Sequence, residues 1–263
     1  MSVAAMLPAA FLRTGRPLVL AHRGASRDAP ENTLAAFALA RAQGADGVEL
    51  DVQRCATGEV VCFHDDTLGR VAGRPGLVEE TPWPLLRALD AGSHLAPRFA
   101  GERVPLLAEA LACTPPDFLV NIELKCERHD DRGLVAAVVD LVRAAGADER
   151  VLLSSFNPLC LRRARALAPG LPRALLFHAD QPFPLRWALW APLLGAAALH
   201  PEAALATPAA AARWRRRGYA VTCWTVDDPE EGARLWRAGV GGLVTNVPGL
   251  LRAALHAGPG GLL

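Results

Sequence analysis

Short apolar runs alternate with helical patterns along most of the chain. The first run, PLVLAH at 17–22, predicts a buried strand. Asn32 and Thr33 then offer an N-cap for a helix that Gly44 ends. In VELDV at 48–52, apolar and acidic residues alternate strictly, which indicates a strand with one polar face. These segments predict the order strand, helix, strand.

The same alternation continues towards the C-terminus. Further strands are predicted at 60–64, 118–125, 151–156, 174–177, 198–201, 220–226 and 241–246. Helices are predicted at 106–113, around 161–167, before Gly218, at about 229–238 and after 246. The apolar stretch 187–199 is predicted to be a packed barrel helix or a subunit contact. Strands that alternate with helices favour a parallel sheet.

The number of strands decides the architecture. Residues 60–64 follow an ATG turn so closely that they form the return arm of a hairpin, which leaves eight strands. Eight strands close a (β/α)8 barrel of roughly 250 residues, near the 263 of this chain. A doubly wound open sheet is the alternative, but it prefers apolar residues on both strand faces. We therefore predict one α/β domain over 1–263, a TIM barrel with an insertion at about 66–104, after His64 and Asp65.

Composition and net charge limit the classes of binding partner that the chain can have. The chain is 51% hydrophobic and 21% charged, which allows a sizeable core and excludes global disorder. A net charge of +1 argues against general adhesion to nucleic acid or to an anionic membrane. The N-terminus lacks the pattern of a secretory signal. The apolar stretch 187–199 is too short to span a bilayer. The six cysteines form no CxxC pair, which is typical of reduced thiols. We predict a cytoplasmic protein with reduced thiols and no integral membrane segment; the oligomeric state is left open.

Four polar clusters lie at the C-terminal ends of predicted strands, the catalytic rim of such a barrel. They are His22-Arg23, Glu49-x-Asp51, His64-Asp65 and Glu123-x-Lys125. Three acids in a confined site resist ionisation unless a cation joins them. Oxygen ligands at i and i+2 of one strand, with one from another strand, suit Mg²⁺ or Ca²⁺. Glu49, Asp51 and Glu123 are therefore predicted to hold one divalent cation.

Two histidines and two cations complete the candidate site. His22 and His64 can accept and donate a proton near neutral pH. Arg23 and Lys125, the only lysine in the chain, add positive charge for an anionic substrate. The combination predicts phosphoryl transfer on a small molecule. The alternatives are a metal-dependent barrel for an enolisable phosphosugar, a phosphodiester lyase that releases a cyclic phosphate, and a non-catalytic binding barrel.

These blocks resemble the signature blocks of the glycerophosphodiester phosphodiesterases, in their cytoplasmic bacterial form. The matching blocks are HRGASRDAPENT (22–33), VELDVQ (48–53), VVCFHDDTLGR (60–70), NIELK (121–125), SSFNP (154–158), ALHP (198–201), VTCWTVDD (221–228) and LVTNVPG (243–249). The resemblance covers about residues 17–250. It implies a TIM barrel that hydrolyses deacylated phospholipids to sn-glycerol 3-phosphate and an alcohol.

The resemblance also assigns roles to single residues. It implies metal ligands at Glu49, Asp51 and Glu123, a catalytic pair at His22 and His64, phosphate contacts at Arg23 and Lys125, and an aromatic lining the glycerol side at Trp224. Weaker candidates are Glu31, which would support the loop near the site, and Ser155 and His200, which would line the pocket. Two positions depart from the family pattern: Asn246 replaces an aspartate, and the turn at 56–59 reads ATGE. Neither is expected to touch the metal ligands or the histidines.

Overall fold

The computed structural model describes residues 7, 11, 15–126, 130–183, 186 and 188–256, except the side chain of His256. The described strands are β1 Leu18–His22, β2 Gly47–Arg54, β3 Val60–Cys62, β4 Leu119–Leu124, β5 Val151–Ser155, β6 Arg173–Phe177, β7 Ala198–Pro201, β8 Ala220–Cys223 and β9 Gly242–Thr245. The helices are α1 Leu34–Ala42, α2 Gly69–Ala72, α3 Trp83–Ala88, α4 Leu107–Cys113, α5 Leu134–Ala144, α6 Pro158–Leu167, α7 Ala191–Leu194, α8 Pro208–Arg216, α9 Pro229–Arg237 and α10 Pro248–His256. No helix in this described part combines the length and the apolar character needed to cross a bilayer.

Eight of the strands close into a parallel barrel. They pair in the order β1-β9-β8-β7-β6-β5-β4-β2, and β1 pairs with β2 to complete the ring. The ninth, β3, runs antiparallel to β2, with Val52 opposite Cys62. The predicted (β/α)8 barrel is therefore confirmed, and so is the hairpin that removes β3 from the ring.

Side chains inside the barrel change from apolar to polar along the strands. Leu18, Leu119 and Leu152 are the first or second residues of their strands and belong to one buried cluster. Further along β2, the apolar residues of its alternating pattern pack outwards in the main core, so its acidic residues point inwards. The barrel thus has an apolar floor and a polar mouth at the C-terminal strand ends.

Two segments differ from the sequence prediction. Helix α5 was not predicted, although Leu134, Val138 and Val142 recur at a helical spacing and are buried in the main core. The prediction of a packed helix over 187–199 is largely wrong. Only the single turn α7 is helical there, and the last residues of the stretch belong to β7. Gly195, with φ +60°, ends that turn in a left-handed conformation. Position 187 itself lies outside the described residues.

Residues 66–104 lie between β3 and α4 and contain α2 and α3. Their buried side chains, including Val71, Val78 and Leu86, form a separate cluster against Val61 and Phe63 of the β3 region. This packing holds the segment next to the barrel mouth. That residues 1–263 form one domain with 66–104 as its insertion stays a prediction.

Candidate active site

Three carboxylates meet at the barrel mouth. Neighbouring parallel strands β2 and β4 set Asp51 opposite Glu123, and Glu49 lies two residues earlier on β2. One carboxylate oxygen from each of the three lies within 4.8 Å of the others. None of the three residues is more than 9% exposed. The structure therefore brings together the acids that the sequence singled out.

The electrostatics of this cluster fit a bound cation. Burial, followed by repulsion from Asp51 and Glu123, raises the pKa of Glu49 well above its ordinary value. Burial and the charge of Asp51 raise the pKa of Glu123 to about 7. Arg23 lowers the pKa of Glu49, and Lys125, followed by Arg23, lowers that of Glu123, without cancelling these effects. Three buried oxygen donors whose charges remain poorly compensated suit a hard divalent ion.

Two cations border the acids. Arg23 follows β1 in a left-handed conformation, with φ +57°, and its Nε lies 3.2 Å from Asp51 Oδ2. Its Nη1 donates to Glu31 Oε1 at 3.0 Å. On the other side, Lys125 Nζ lies 3.3 Å from Glu123 Oε1. Both side chains thus place positive charge beside the acids, where an anionic group would bind.

His22 is held by an amide. Its Nδ1 donates to Asn246 Oδ1 at 2.7 Å, which leaves Nε2, 4.0 Å from Glu49 Oε2, without a proton in the neutral ring. Burial, followed by the charge of Arg23, lowers the pKa of His22. The expectation that position 246 would not touch the histidines is therefore wrong. Sequence order hid this contact, because the two residues meet only when β1 pairs with β9.

His64 has a carboxylate partner instead. Its Nδ1 lies 2.7 Å from Asp65 Oδ1, and Arg70 donates two hydrogen bonds to the same carboxylate. These bonds hold the pKa of Asp65 well below its usual range. Arg70 also donates to both oxygens of Glu31. Because Arg70 belongs to α2, the 66–104 segment fixes the surroundings of His64.

The two histidines face a small chamber of about 70 Å³ at the barrel mouth, here called the central chamber. It is lined by His22, Arg23, Glu49, His64, Asn121, Glu123, Lys125, Phe156, Leu176, His200, Trp224 and Val244. Most of the sequence-predicted site residues therefore share one space, and Asp51 lies beside it as part of the acidic cluster.

Besides Arg23 Nε, which faces Asp51, two polar groups in the central chamber have no hydrogen-bond partner among the described residues. These are both ring nitrogens of His200 and the Oδ1 of Asn121. Each residue is 1% exposed. Trp224 Nε1 donates to the His200 carbonyl at 2.8 Å, which fixes the indole beside them. Buried polar atoms without partners are rare in folded proteins, so these groups mark a place for a polar ligand.

The remaining candidates have structural contacts. Ser155 Oγ donates to the Leu124 carbonyl and accepts from the Asn157 amide, so its hydroxyl is occupied by the backbone. Paired with both Arg23 and Arg70, Glu31 has its pKa lowered to about 2. Glu31 thus links the loop after β1 to α2, while Ser155 shapes the loop after β5.

Sequence reasoning missed the residue that orients Asp51. Asn32 Nδ2 donates to Asp51 Oδ2 at 2.9 Å, and Asn32 Oδ1 accepts from the Asp51 backbone amide at 3.2 Å. Asn32 is buried with φ +54°, a backbone conformation that asparagine tolerates better than most residues. The sequence predicts Asn32 only as an N-cap for α1, a position that Thr33 takes in the structure.

A parallel barrel with acids, histidines and cations at its C-terminal strand ends defines an α/β-barrel enzyme. The sequence profile of the glycerophosphoryl diester phosphodiesterase family matches residues 22–250. The chain belongs to this family. A glycerophosphodiester phosphodiesterase of Caldanaerobacter subterraneus subsp. tengcongensis is 38% identical over 89% of this chain and 95% of its own. A probable glycerophosphodiester phosphodiesterase 1 of Mycobacterium tuberculosis is 35% identical over 93% of this chain and 94% of its own.

Solved structures agree in fold. An Oleispira antarctica phosphodiesterase in complex with the product sn-glycerol-3-phosphate superposes with a TM-score of 0.85. It is 33% identical, and the match covers 92% of this chain and 97% of that one. The likeness therefore extends over the barrel and its rim.

Proposed function

We propose that the protein hydrolyses glycerophosphodiesters to sn-glycerol 3-phosphate and an alcohol. The observation that carries this proposal is the convergence of three buried acids and two histidines on one chamber. Family membership and the product-bound phosphodiesterase of O. antarctica support the same substrate class. A coupled assay for glycerol 3-phosphate release over a panel of diesters tests it. Absence of release from every member would contradict the proposal.

Glu49, Asp51 and Glu123 would hold one divalent cation, Mg²⁺ or Ca²⁺. When bound, such an ion supplies Lewis-acid stabilisation of charge on phosphate oxygens. Asn32 orients Asp51 for this role through its two hydrogen bonds. Arg23 and Lys125 are proposed to bind the phosphate, since they lie on either side of the acids.

His22 and His64 divide the proton transfers in this proposal. The lowered pKa of His22 keeps its Nε2 free to accept a proton at neutral pH, because Nδ1 donates to Asn246. The attacking oxygen, from water or from the glycerol 2-hydroxyl, forms the new bond to phosphorus and gives its proton to His22. As the bond to the alcohol breaks, His64 donates a proton to the leaving oxygen, and the ionised Asp65 beside it balances the charge of the protonated ring. Attack by water gives glycerol 3-phosphate directly, whereas attack by the 2-hydroxyl gives a cyclic phosphate that a water molecule must then open. Phosphorus NMR separates the two routes.

Replacing Lys125 by arginine tests whether the site needs only a positive charge or also the compact shape of an ammonium group. Lys125→Arg keeps the charge but puts a planar fork beside Glu123, where the ammonium lies 3.3 Å from the carboxylate. We expect kcat/KM to fall by roughly tenfold, the scale of one weakened charge-assisted hydrogen bond. Steady-state kinetics on glycerophosphocholine measure the effect, with the exposed Arg98→Lys as a control for Arg–Lys exchange. Unchanged kinetics would remove Lys125 from the phosphate contacts.

Glycerol recognition is assigned to the inner end of the central chamber. Burial lowers the pKa of His200 to about 3, so its ring is neutral at physiological pH and offers one donor and one acceptor. Asn121 Oδ1 adds an acceptor close by. A polyol supplies the matching hydroxyl groups, and the Trp224 ring provides an apolar wall. The unpartnered atoms therefore support a glycerol-binding end.

His200→Leu should weaken substrate binding more than it slows turnover. Loss of one or two hydrogen bonds is expected to raise KM by roughly tenfold, with kcat changed less, because the ring is assigned to glycerol and not to the reacting oxygens. Steady-state kinetics test this, and His94→Leu, at an exposed histidine of the 66–104 segment, is the matched control. A normal KM in a folded His200→Leu protein would exclude the assignment.

A cytoplasmic location is also proposed. The six cysteines are scattered along the sequence with no CxxC pair, which suits a reducing compartment better than an oxidising one. Cell fractionation tests the location, and recovery outside the cytoplasmic fraction would contradict it.

A further inference from the structure

A second, larger cavity opens beside the central chamber. Its volume is about 980 Å³, and it lies between the ends of β4, β5 and β6 and the segment around α7. Glu123, Lys125 and Phe156 line both the cavity and the central chamber. The two spaces are therefore adjacent, and a ligand held at Lys125 can extend from one into the other. We call the larger space the side pocket.

The side pocket is mostly apolar. Besides Phe156, its apolar walls are Leu124, Pro158, Leu159, Trp190, Leu193 and Leu194. Leu193 is 65% exposed and Trp190 is 42% exposed, although both are large hydrophobic residues. Apolar surface concentrated in a concave space next to polar catalytic groups is typical of ligand pockets, and this volume lies at the upper end of their range.

The charges of the side pocket do not fit a cationic alcohol such as choline or ethanolamine. Glu123 is the only carboxylate among the described lining residues, and it is already paired with Lys125. The other charged side chain there is the exposed Arg162, which repels cations. A small polar alcohol would also leave most of the apolar wall in contact with water. A hydrocarbon chain removes that wall from water and needs no charged partner.

The position of the side pocket indicates which part of a diester would enter it. The central chamber, with about 70 Å³ and the unpartnered atoms of Asn121 and His200, suits the small polar glycerol. The phosphate is assigned to Arg23 and Lys125, so the group on its other side lies where the side pocket begins. We propose that the side pocket binds a long hydrocarbon chain on the leaving alcohol, which makes glycerol phosphodiesters of long-chain alcohols substrates of this enzyme. This inference rests on the proposed function.

A series of diesters that differ only in the alcohol tests the inference. Glycerol 3-phosphate esters of ethanol, butanol and octanol release the same product, so one coupled assay reads all three, with glycerophosphocholine as the reference substrate. Each further methylene that leaves water should raise kcat/KM by about fourfold. Allowing for partial exposure, we expect the octyl ester to exceed the ethyl ester by at least about 30-fold, at concentrations below micelle formation.

Variants at the exposed wall locate the effect. Leu193→Asp and Trp190→Ala should lower the octyl-to-ethyl ratio of kcat/KM to less than about a third of its original value. Neither change threatens the core, because both side chains are already partly in solvent. Leu189→Asp is the matched control: Leu189 is 47% exposed in the same segment but does not line the side pocket, so the ratio should stay unchanged.

The possible outcomes distinguish failure of this inference from failure of the proposed hydrolysis of glycerophosphodiesters. Equal kcat/KM for ethyl and octyl esters would overturn the inference and leave the proposed hydrolysis intact. A chain-length effect that survives both wall variants, or that Leu189→Asp also removes, would overturn the assignment to the side pocket. No glycerol 3-phosphate from any ester, glycerophosphocholine included, would overturn the proposed function and the inference with it.

Discussion

Removal of divalent cations should abolish hydrolysis, and Mg²⁺ or Ca²⁺ should restore it. Treatment with EDTA leaves Glu49, Asp51 and Glu123 to repel one another in a buried cluster, with no ion to stabilise charge on the phosphate. We expect glycerol 3-phosphate release to fall by more than roughly 10²-fold, the scale on which lost electrostatic stabilisation acts. Glu123→Gln should produce a similar loss that added metal does not restore.

The controls make this result specific. Glu109→Gln changes an acid that pairs with Arg87 outside the central chamber, so its activity and its response to EDTA should be those of the unmodified protein. Full activity in EDTA together with full activity of Glu123→Gln would contradict the metal site.

The pH dependence of metal binding follows from the same groups. The pKa of Glu123 is raised to about 7 and that of Glu49 well above its ordinary value, so the metal-free cluster binds protons near neutral pH. A cation must displace those protons. Its apparent affinity should therefore rise as the pH rises through about 7.

Loss of either histidine should have the second large effect. His22→Ala removes the proposed proton acceptor, and His64→Ala removes the proposed donor. Each should lower kcat by roughly 10²-fold or more, the usual scale for acid–base catalysis. Stopped assays of glycerol 3-phosphate measure the loss, with the exposed His94→Ala as the control. Near-normal turnover in either variant would remove that histidine from the mechanism.

The pH profile tests the role of His22 further. A proton acceptor must start unprotonated, so kcat/KM should fall as the pH falls through the pKa of His22. Burial and Arg23 lower this pKa from its ordinary 6.5, so the acidic limb of the profile should lie below 6.5. With the metal kept saturating across the profile, an acidic limb above that value would argue against His22 as the acceptor.

The barrel and the acidic cluster could be predicted from local patterns. Alternation in residues 48–52 shows which side chains of β2 face inwards, and parallel strands bring their C-terminal ends to one mouth. Asp51 and Glu123 belong to different strands, yet this rule alone places them together. The resemblance to a known family then named the same residues.

The partners of these residues could not be predicted in this way. Asn246 contacts His22 across 224 positions, and Arg70 reaches Glu31 across 39. Such contacts depend on the register of the ring and on how residues 66–104 fold, which no spacing in the sequence encodes. The side pocket could not be predicted either. Its walls come from separate loops and from a segment that the sequence predicts to be one helix.

Calorimetric titration of the metal-free protein with Mg²⁺ and with Ca²⁺ is the most direct test of the central claim. The account predicts one bound ion per chain for at least one of these metals, and no binding to Glu123→Gln at the same concentrations. Absence of binding to the unmodified chain, or equal binding to the Glu123→Gln variant, would contradict it.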